Sequence, residues 1–221
     1  MRGRIIIILA ALFIGTITAE AQKKGPSPLS WNFDSDRVDQ PPAGFTFART
    51  GGGRLGQWIV RSEKDAPSGT NVLAQINTDK TDYRFPVAVA EAPSLRDLTL
   101  SVRCKPVSGE IDQACGLVFR YRDENNYYIT RANALEDNVC FYDVKGGRRR
   151  RLACWNGKVT SGAWHTLKAD ALGDRFEVDW DGKKVIEVRD QTFSDAGKVG
   201  VWTKADSVTY FDDLRVAPLG S

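Results

Sequence analysis

Apolar and polar residues alternate with a period of two along most of the chain, and amphipathic helical stretches are almost absent. Such alternation is typical of strands that bury one face. Turn signals, among them Asp181-Gly182 and Gly146-Gly147, separate the runs. The pattern predicts an all-β protein, either a two-sheet antiparallel sandwich or a barrel. The predicted strands cover residues 57–61, 71–75, 98–105, 116–121, 127–133, 138–144, 150–155, 165–171, 175–179, 184–189, 198–203 and 207–216.

The beginning of the chain departs from this pattern. A basic start, an apolar run over residues 5–18 and Ala19-Glu20-Ala21 predict a signal peptide over residues 1–21. Residues 22–30 are predicted to form a linker and residues 31–218 one domain. The apolar run is shorter than the roughly 20 residues of a spanning helix, although an uncleaved anchor is the alternative. We therefore expect a secreted or periplasmic protein with no membrane insertion after cleavage.

The charge balance argues against one class of partner. Removal of the signal takes two arginines and one glutamate from 31 basic and 28 acidic residues, which leaves 29 against 27. Nucleic-acid-binding domains concentrate positive charge to neutralise phosphates. The sequence therefore predicts no nucleic-acid partner.

Four cysteines and one histidine are present, without a C-x-x-C pair, so disulfides are favoured over a zinc site in an exported protein. Three pairings are possible in principle. Cys104 and Cys115 lie on the apolar positions of neighbouring predicted strands, with a turn midway. Cys140 and Cys154 are symmetric about the turn of an apparent hairpin. The pattern favours the pairs Cys104–Cys115 and Cys140–Cys154.

Residues 197–216, GKVGVWTKADSVTYFDDLRV, resemble the closing segment of concanavalin A-like lectin/glucanase jelly rolls. Residues 116–130 resemble their mid-sheet strand pair, and 164–168 with 175–185 their hairpin. The closest group is the laminin-G-like branch with the 3-keto-disaccharide hydrolase, or family 16 glycoside hydrolase-like, domain of bacterial exported proteins. This resemblance implies a two-sheet antiparallel jelly-roll sandwich that binds carbohydrate on its concave face or rim loops. It also implies that a first strand near residues 30–34 pairs with the last strand.

Sugar binding requires aromatic faces and planar polar side chains. Trp202 and Arg120 each lie opposite apolar neighbours on their strands, so both are predicted to project from the core onto the concave face. Arg131 and Asn133 share one face of their strand and can join them. The alternative is that Trp202 packs under a loop and Arg120 pairs with an acidic residue of the following turn.

A glycoside hydrolase is the competing hypothesis. The segment EVDWD over residues 177–181 approaches the E-x-D-x-E strand of retaining family 16 enzymes, and Glu177 and Asp179 share one face. His165, as the single histidine, is the remaining acid/base candidate. The alternative is that Asp181 is a turn residue and that the hairpin and His165 are structural. A non-catalytic structural or protein-binding module is the third hypothesis.

Two further groups of charged residues have candidate roles. Four aspartates converge if the terminal strands pair, which suits a structural Ca²⁺, with strand-end solvation as the alternative. These aspartates are Asp34, Asp36, Asp212 and Asp213. The arginine run over residues 148–151 must alternate between strand faces, so we favour a solvated hairpin tip. If it does bind, an acidic polysaccharide or an outer-surface phosphate suits an exported protein better than DNA.

Overall fold

Fifteen strands form the regular structure of residues 27–220, the part of the chain that the computed structural model describes. They make two antiparallel sheets that pack face to face, as the alternation predicts, and these residues contain no helix. The eight-stranded sheet contains β1 (Leu29–Trp31), β3 (Trp58–Ser62), β4 (Asn71–Gln75), β6 (Leu98–Ser108), β11 (His165–Leu172), β12 (Arg175–Trp180), β13 (Lys183–Arg189) and β15 (Val208–Pro218). The seven-stranded sheet contains β2 (Phe45–Gly51), β5 (Arg84–Ala90), β7 (Ala114–Asp123), β8 (Asn126–Asn133), β9 (Asn138–Lys145), β10 (Arg148–Asn156) and β14 (Lys198–Trp202).

The strand order interleaves distant parts of the chain. The eight-stranded sheet runs β13-β12-β11-β6-β15-β4-β3, with β1 also paired to β15, and the seven-stranded sheet runs β10-β9-β8-β7-β14-β5-β2. The expected pairing of the first strand with the last is present, with Trp31 opposite Leu214. β1 begins at Leu29, inside the predicted linker. The predicted signal peptide, residues 1–21, lies outside the described residues.

The main core lies between the sheets and consists of the inward-facing side chains of both. β6 and β12 alternate buried and half-buried residues along their length, which is the signature of strands with one face inside. At one end of the core Tyr128 and Phe176 have ring centroids 4.7 Å apart, and Phe141 lies 5.1 Å from Phe176. Within residues 27–220 no helix is long and apolar enough to cross a membrane.

Both predicted disulfides are present. Cys140 and Cys154 are cross-strand neighbours in the β9–β10 hairpin, as expected, with α-carbons 4.1 Å apart. The α-carbons of Cys104 and Cys115 are 6.2 Å apart, but these residues lie in different sheets. The second bridge therefore crosses the core and ties the sheets together, whereas the sequence suggested a hairpin.

Two strands of the seven-stranded sheet, β2 and β5, were not predicted. Every residue of β5 is buried, on both faces of the sheet, so its apolar residues form a continuous run without alternation. Pro86 within the run also argues against a strand, because proline cannot donate a ladder hydrogen bond.

Candidate functional site

A second apolar layer covers the outer face of the seven-stranded sheet, the face that points away from the core. Trp202 belongs to it because Val199 and Val201 on β14 face the main core, which confirms the predicted alternation. We call four of its aromatic residues the outer aromatic layer: Phe85, Tyr127, Tyr142 and Trp202. None of the four is more than 5% exposed. Burying so many rings on an outer face is not needed to close the sandwich, so this face is a candidate for function.

Arg149 covers the outer aromatic layer. Its guanidinium carbon lies 4.6 Å from the ring centroid of Phe85, 4.5 Å from that of Tyr142 and 5.8 Å from that of Trp202. The backbone of the β9–β10 hairpin is held in place by Tyr83, whose hydroxyl donates to Gly147 O and accepts from Arg149 N. Contact with three rings fixes the plane of the cation.

Arg131 borders the same layer, on β8. It is 3% exposed, and its Nη2 donates to Glu136 Oε2 at 2.7 Å and to the Tyr142 hydroxyl at 2.9 Å. Asn138 accepts from its Nη1. Partial burial by itself raises the pKa of Glu136, but the Arg131 charge and the Asn138 amide outweigh it and lower that pKa. Glu136 is therefore an ionised carboxylate at the edge of the layer.

Asn133 is the next residue of the same strand face and begins a chain of polar contacts. Its Nδ2 donates to Asp112 Oδ1 at 2.9 Å, and Lys204 Nζ lies 2.9 Å from Asp112 Oδ2 and 2.6 Å from Asp82 Oδ1. Burial raises the pKa of Asp112. Burial alone lowers the pKa of Lys204, but the two carboxylates raise it overall. Three of the four predicted sugar contacts, Trp202, Arg131 and Asn133, therefore lie on one face.

Two guanidinium groups on this face have buried donors without acceptors. Arg131 Nε and Arg149 Nη1 are sealed from solvent and form no hydrogen bond with any part of the chain that the structure describes. Buried donors in native proteins are nearly always paired, and an unpaired one costs about 1–3 kcal/mol. Since both atoms are closed to solvent, a ligand cannot contact them in this geometry, and what remains available on Arg149 is the other edge of its half-buried guanidinium.

Arg120 does not reach this face, and its predicted position is wrong. β7 has an irregular register between Phe119 and Asp123, and the backbone of Arg120 is left-handed, with φ of 46°. The side chain therefore turns inward over the ring of Phe176, at 5.0 Å. Alternation along a strand fails wherever a bulge inserts a residue.

The Arg120 guanidinium instead ties three loops together. It donates to the carbonyl oxygens of Arg96, Phe193 and Gly173 at 3.0, 2.7 and 2.7 Å. Its closest carboxylate is Asp97, at 3.6 Å, so the predicted pairing with the following turn is also absent. An open cavity of about 540 Å³ adjoins it. Three of its five N–H donors bind backbone carbonyl oxygens, an arrangement that favours a structural role for Arg120.

The catalytic candidates lie on two different surfaces. Glu177 and Asp179 are on the outer face of the eight-stranded sheet, where Glu177 pairs with Arg175 and Lys184 and Asp179 lies 3.2 Å from Lys168. His165 points the other way and stacks on the ring of Trp180, at 4.6 Å. The structure thus keeps the histidine apart from the two carboxylates.

His165 is also fully engaged in hydrogen bonds. Its Nδ1 lies 2.7 Å from Asp181 Oδ2 and its Nε2 lies 3.0 Å from the carbonyl oxygen of Thr160. Asp181 and Gly182 both have positive φ, at 48° and 79°, as a two-residue hairpin turn requires. The structural interpretation of this hairpin is therefore the one that the geometry favours.

The four aspartates proposed for Ca²⁺ each bind protein groups. Asp34 accepts from the backbone of Thr70 and Asn71, and Asp212 accepts from Ser68. Asp36 accepts from Ala43 N, and Asp213 binds Arg215. No three acidic, histidine or cysteine side chains within residues 27–220 form a group that can hold a metal ion. The predicted convergence on one cation is therefore not formed.

Comparison with known proteins identifies the architecture. No family model matches the chain. The levanase of Bacillus subtilis strain 168 is 33% identical over 104 residues, which is 46% of this chain and 15% of the levanase. The carbohydrate-binding module CBM66 from Bacillus subtilis superposes with a TM-score of 0.63 at 22% identity, over 81% of this chain and 98% of the module. The fold is that of the concanavalin A-like lectin/glucanase jelly rolls.

A second solved structure has the same jelly roll. It is domain 4 of AbnA, an extracellular GH43 arabinanase from Geobacillus stearothermophilus, solved in complex with arabinotriose. It aligns with a TM-score of 0.56 at 13% identity, over 86% of this chain and 90% of that domain. The narrower resemblance to the 3-keto-disaccharide hydrolase branch stays a prediction.

Sequence reasoning missed several residues of the outer face of this jelly roll. Tyr142 lies on a predicted strand two residues from Cys140, so alternation alone places both on the same face. Arg149 belongs to a run of four arginines, and the register set by Cys140 opposite Cys154 would place it opposite Lys145. A register shift between Arg151 and Ala153 pairs it with Val144 instead, and no sequence signal indicates that shift. Asp112 and Lys204 lie outside the strands, and no sequence signal places them together.

Proposed function

We propose that this protein binds a glycan on the outer face of the seven-stranded sheet. The observation that carries the proposal is the half-buried guanidinium of Arg149, which lies over three rings of the outer aromatic layer. A sugar has many hydroxyl oxygens that accept hydrogen bonds, and it has apolar C–H patches that pack on flat groups. The names of the similar proteins, a carbohydrate-binding module and an arabinanase domain with arabinotriose, support the same ligand class.

The charged residues at the boundary of the outer aromatic layer, which we call the rim, supply the direct contacts in this proposal. Trp202 is fully buried beneath Arg149, so it supports the guanidinium plane and does not itself touch the sugar. Arg131, Glu136 and Lys204 present charged edges at the boundary of the layer. Charged groups form hydrogen bonds about twice as strong as neutral ones, which suits a rim that selects hydroxyl geometry.

We propose further that the protein acts in an exported compartment. Both disulfides are formed in the structure, and disulfides form and persist in oxidising compartments. The predicted signal peptide supports the same location. The test is to express the chain with its native first residues. We expect to recover processed protein outside the cytoplasm.

A binding experiment with two matched variants tests the proposed face. The protein is titrated calorimetrically with a panel of neutral and acidic oligosaccharides, including levan oligomers and 3-keto-disaccharides, while released reducing sugar is followed. Glu136→Gln removes a carboxylate that pairs with Arg131, and Glu177→Gln removes one that pairs with Arg175 on the other sheet. We expect Glu136→Gln to weaken binding at least tenfold, since a charged hydrogen bond contributes about 1.5–3 kcal/mol.

The control variant separates binding from catalysis. Glu177→Gln is expected to leave glycan affinity unchanged. Equal loss of affinity in both variants would contradict the assignment to the seven-stranded sheet. Sugar release by the parent protein that Glu177→Gln abolishes would favour the glycosidase hypothesis.

A further inference from the structure

Two arginines of β10 reach the face on which the glycan is proposed to bind. Arg149 is opposite Val144 and Arg151 is opposite Tyr142 in the β9–β10 ladder. Val144 and Tyr142 both belong to the apolar layer of the outer face. Positions two apart on a strand share a face, so Arg149 and Arg151 project on the same side as their partners Val144 and Tyr142.

The charges of these two arginines are unmatched. Elsewhere on this face Arg131 pairs with Glu136, and Lys204 pairs with Asp112 and Asp82. Within the described chain neither Arg149 nor Arg151 has a carboxylate within salt-bridge distance. Lys204 lowers the pKa of Asp82 most and Arg149 lowers it least. Asp82 is therefore the ion-pair partner of Lys204 and not of Arg149.

Arg149 is also held in the orientation that an anion requires. Its guanidinium is packed against three rings with Nη1 sealed from solvent, while the residue as a whole is only half-buried, so the opposite edge of the group is the one that can meet a ligand. A guanidinium fork matches a carboxylate with two parallel hydrogen bonds, and pre-orientation reduces the entropy lost on binding. A neutral hydroxyl fills one donor, whereas a carboxylate fills two and neutralises the charge.

We propose that the glycan recognised on this face carries a carboxylate, as in a uronic acid, and that Arg149 binds this carboxylate with Arg151 beside it. The inference rests on the proposed glycan-binding function and names its ligand class. The interpretation of the arginine run as only a solvated hairpin tip then holds for Arg148, which is exposed and lies on the other strand face.

The test compares acidic oligosaccharides with their neutral twins. Oligogalacturonate, alginate oligomers and glucuronate-containing oligosaccharides are titrated into the full protein, each beside the same compound with its carboxyl groups reduced to alcohols. We expect at least one acidic member to bind ten times or more tighter than its reduced twin. Arg149→Gln removes that preference, Arg151→Gln reduces it, and Arg148→Gln leaves it unchanged.

The possible results distinguish a failure of the carboxylate inference from a failure of the proposed glycan binding. Arg151 is exposed, so Arg151→Gln remains informative even if Arg149→Gln lowers the melting temperature. If a neutral glycan binds, Glu136→Gln weakens it, and acidic and reduced twins bind alike, the carboxylate inference is wrong and glycan binding stands. If no glycan of either kind binds, both proposals are wrong.

Discussion

The outer faces of the two sheets differ in how they treat charge and apolar surface. On the eight-stranded sheet Lys168 pairs with Asp170 and Asp179, and Arg175 pairs with Glu177 and Glu187, all at least partly exposed. On the seven-stranded sheet the outer aromatic layer is buried and two arginine donors lack acceptors. The eight-stranded sheet also has an unpaired buried donor on its outer face, Arg103 Nε on β6, so the two faces differ in the buried aromatic layer and not in the presence of unpaired donors.

This difference indicates where to look for function in a sandwich. Exposed ion pairs contribute about 0–1 kcal/mol each to the free energy of unfolding. The ion pairs on the outer face of the eight-stranded sheet therefore add little to stability. The face of the seven-stranded sheet buries several rings that the main core does not require. We infer that this second layer exists to hold polar side chains in fixed orientations.

The largest expected effect is the loss of a ring from the second layer. Trp202→Ala should lower the free energy of unfolding by about 4 kcal/mol, because it empties a fully buried site. Trp164, half-buried beside Lys105 near the other sheet, is the matched control, and Trp164→Ala should cost about 1 kcal/mol. Urea unfolding measures both. Similar values for the two variants would remove the contrast between the faces.

A slightly smaller loss is expected for Arg120. Arg120→Met removes the donor from one buried and two partly buried carbonyl oxygens and should cost about 3 kcal/mol of unfolding free energy. Glycan affinity should not change, since Arg120 faces the core and not the outer face. If the variant keeps its stability but loses glycan affinity, Arg120 is a glycan contact, as the sequence predicted. Calorimetry and urea unfolding on the same sample distinguish the two results.

The disulfides should separate stability from binding. Removing either bridge as a double alanine variant should cost about 3 kcal/mol, because loops of 11 and 14 residues have similar closure entropies. Only the Cys140→Ala, Cys154→Ala pair should also weaken glycan binding, since it releases the strand that carries Arg149. Equal affinities in both double variants would show that β10 keeps its position without the bridge.

The smallest expected effect concerns pH. Burial raises the pKa of Asp112 above 3.8, so folding favours its protonated form. As the pH falls through that raised pKa, the folded state binds a proton before the unfolded state does, and stability rises. The parent protein should therefore gain stability relative to Asp112→Asn on acidification, measured by urea unfolding at several pH values. A constant difference would mean that Asp112 is not buried as a charge.

The successes and failures of the sequence predictions have the same physical source. Strands with one buried face show it by alternation, which is why Val199 and Val201 predicted the strand face of Trp202, although its complete burial was not predicted. The same rule misplaced Arg120, because a left-handed residue within β7 shifts every later position by one. A bulge of this kind leaves no signal in a single sequence.

The sequence predictions failed more often for contacts between residues that are far apart in the chain. β5 was missed because it is buried on both faces, and the loop residues Asp112 and Lys204 are joined only by the fold. The pairing of Cys104 with Cys115 was predicted from local symmetry, yet its place between the sheets was not, because symmetry about a turn does not say whether the chain changes sheets.

The position of the Cys140–Cys154 bridge has a mechanical consequence. β10 is an edge strand, attached to the seven-stranded sheet through β9 alone. Tension on a polymer held by Arg149 would load that single ladder, whose hydrogen bonds fail one after another when peeled from an end. The bridge joins the two strands by a covalent bond within this ladder. In the proposed function this bond would keep β10 attached to β9 while the bound polymer is under tension.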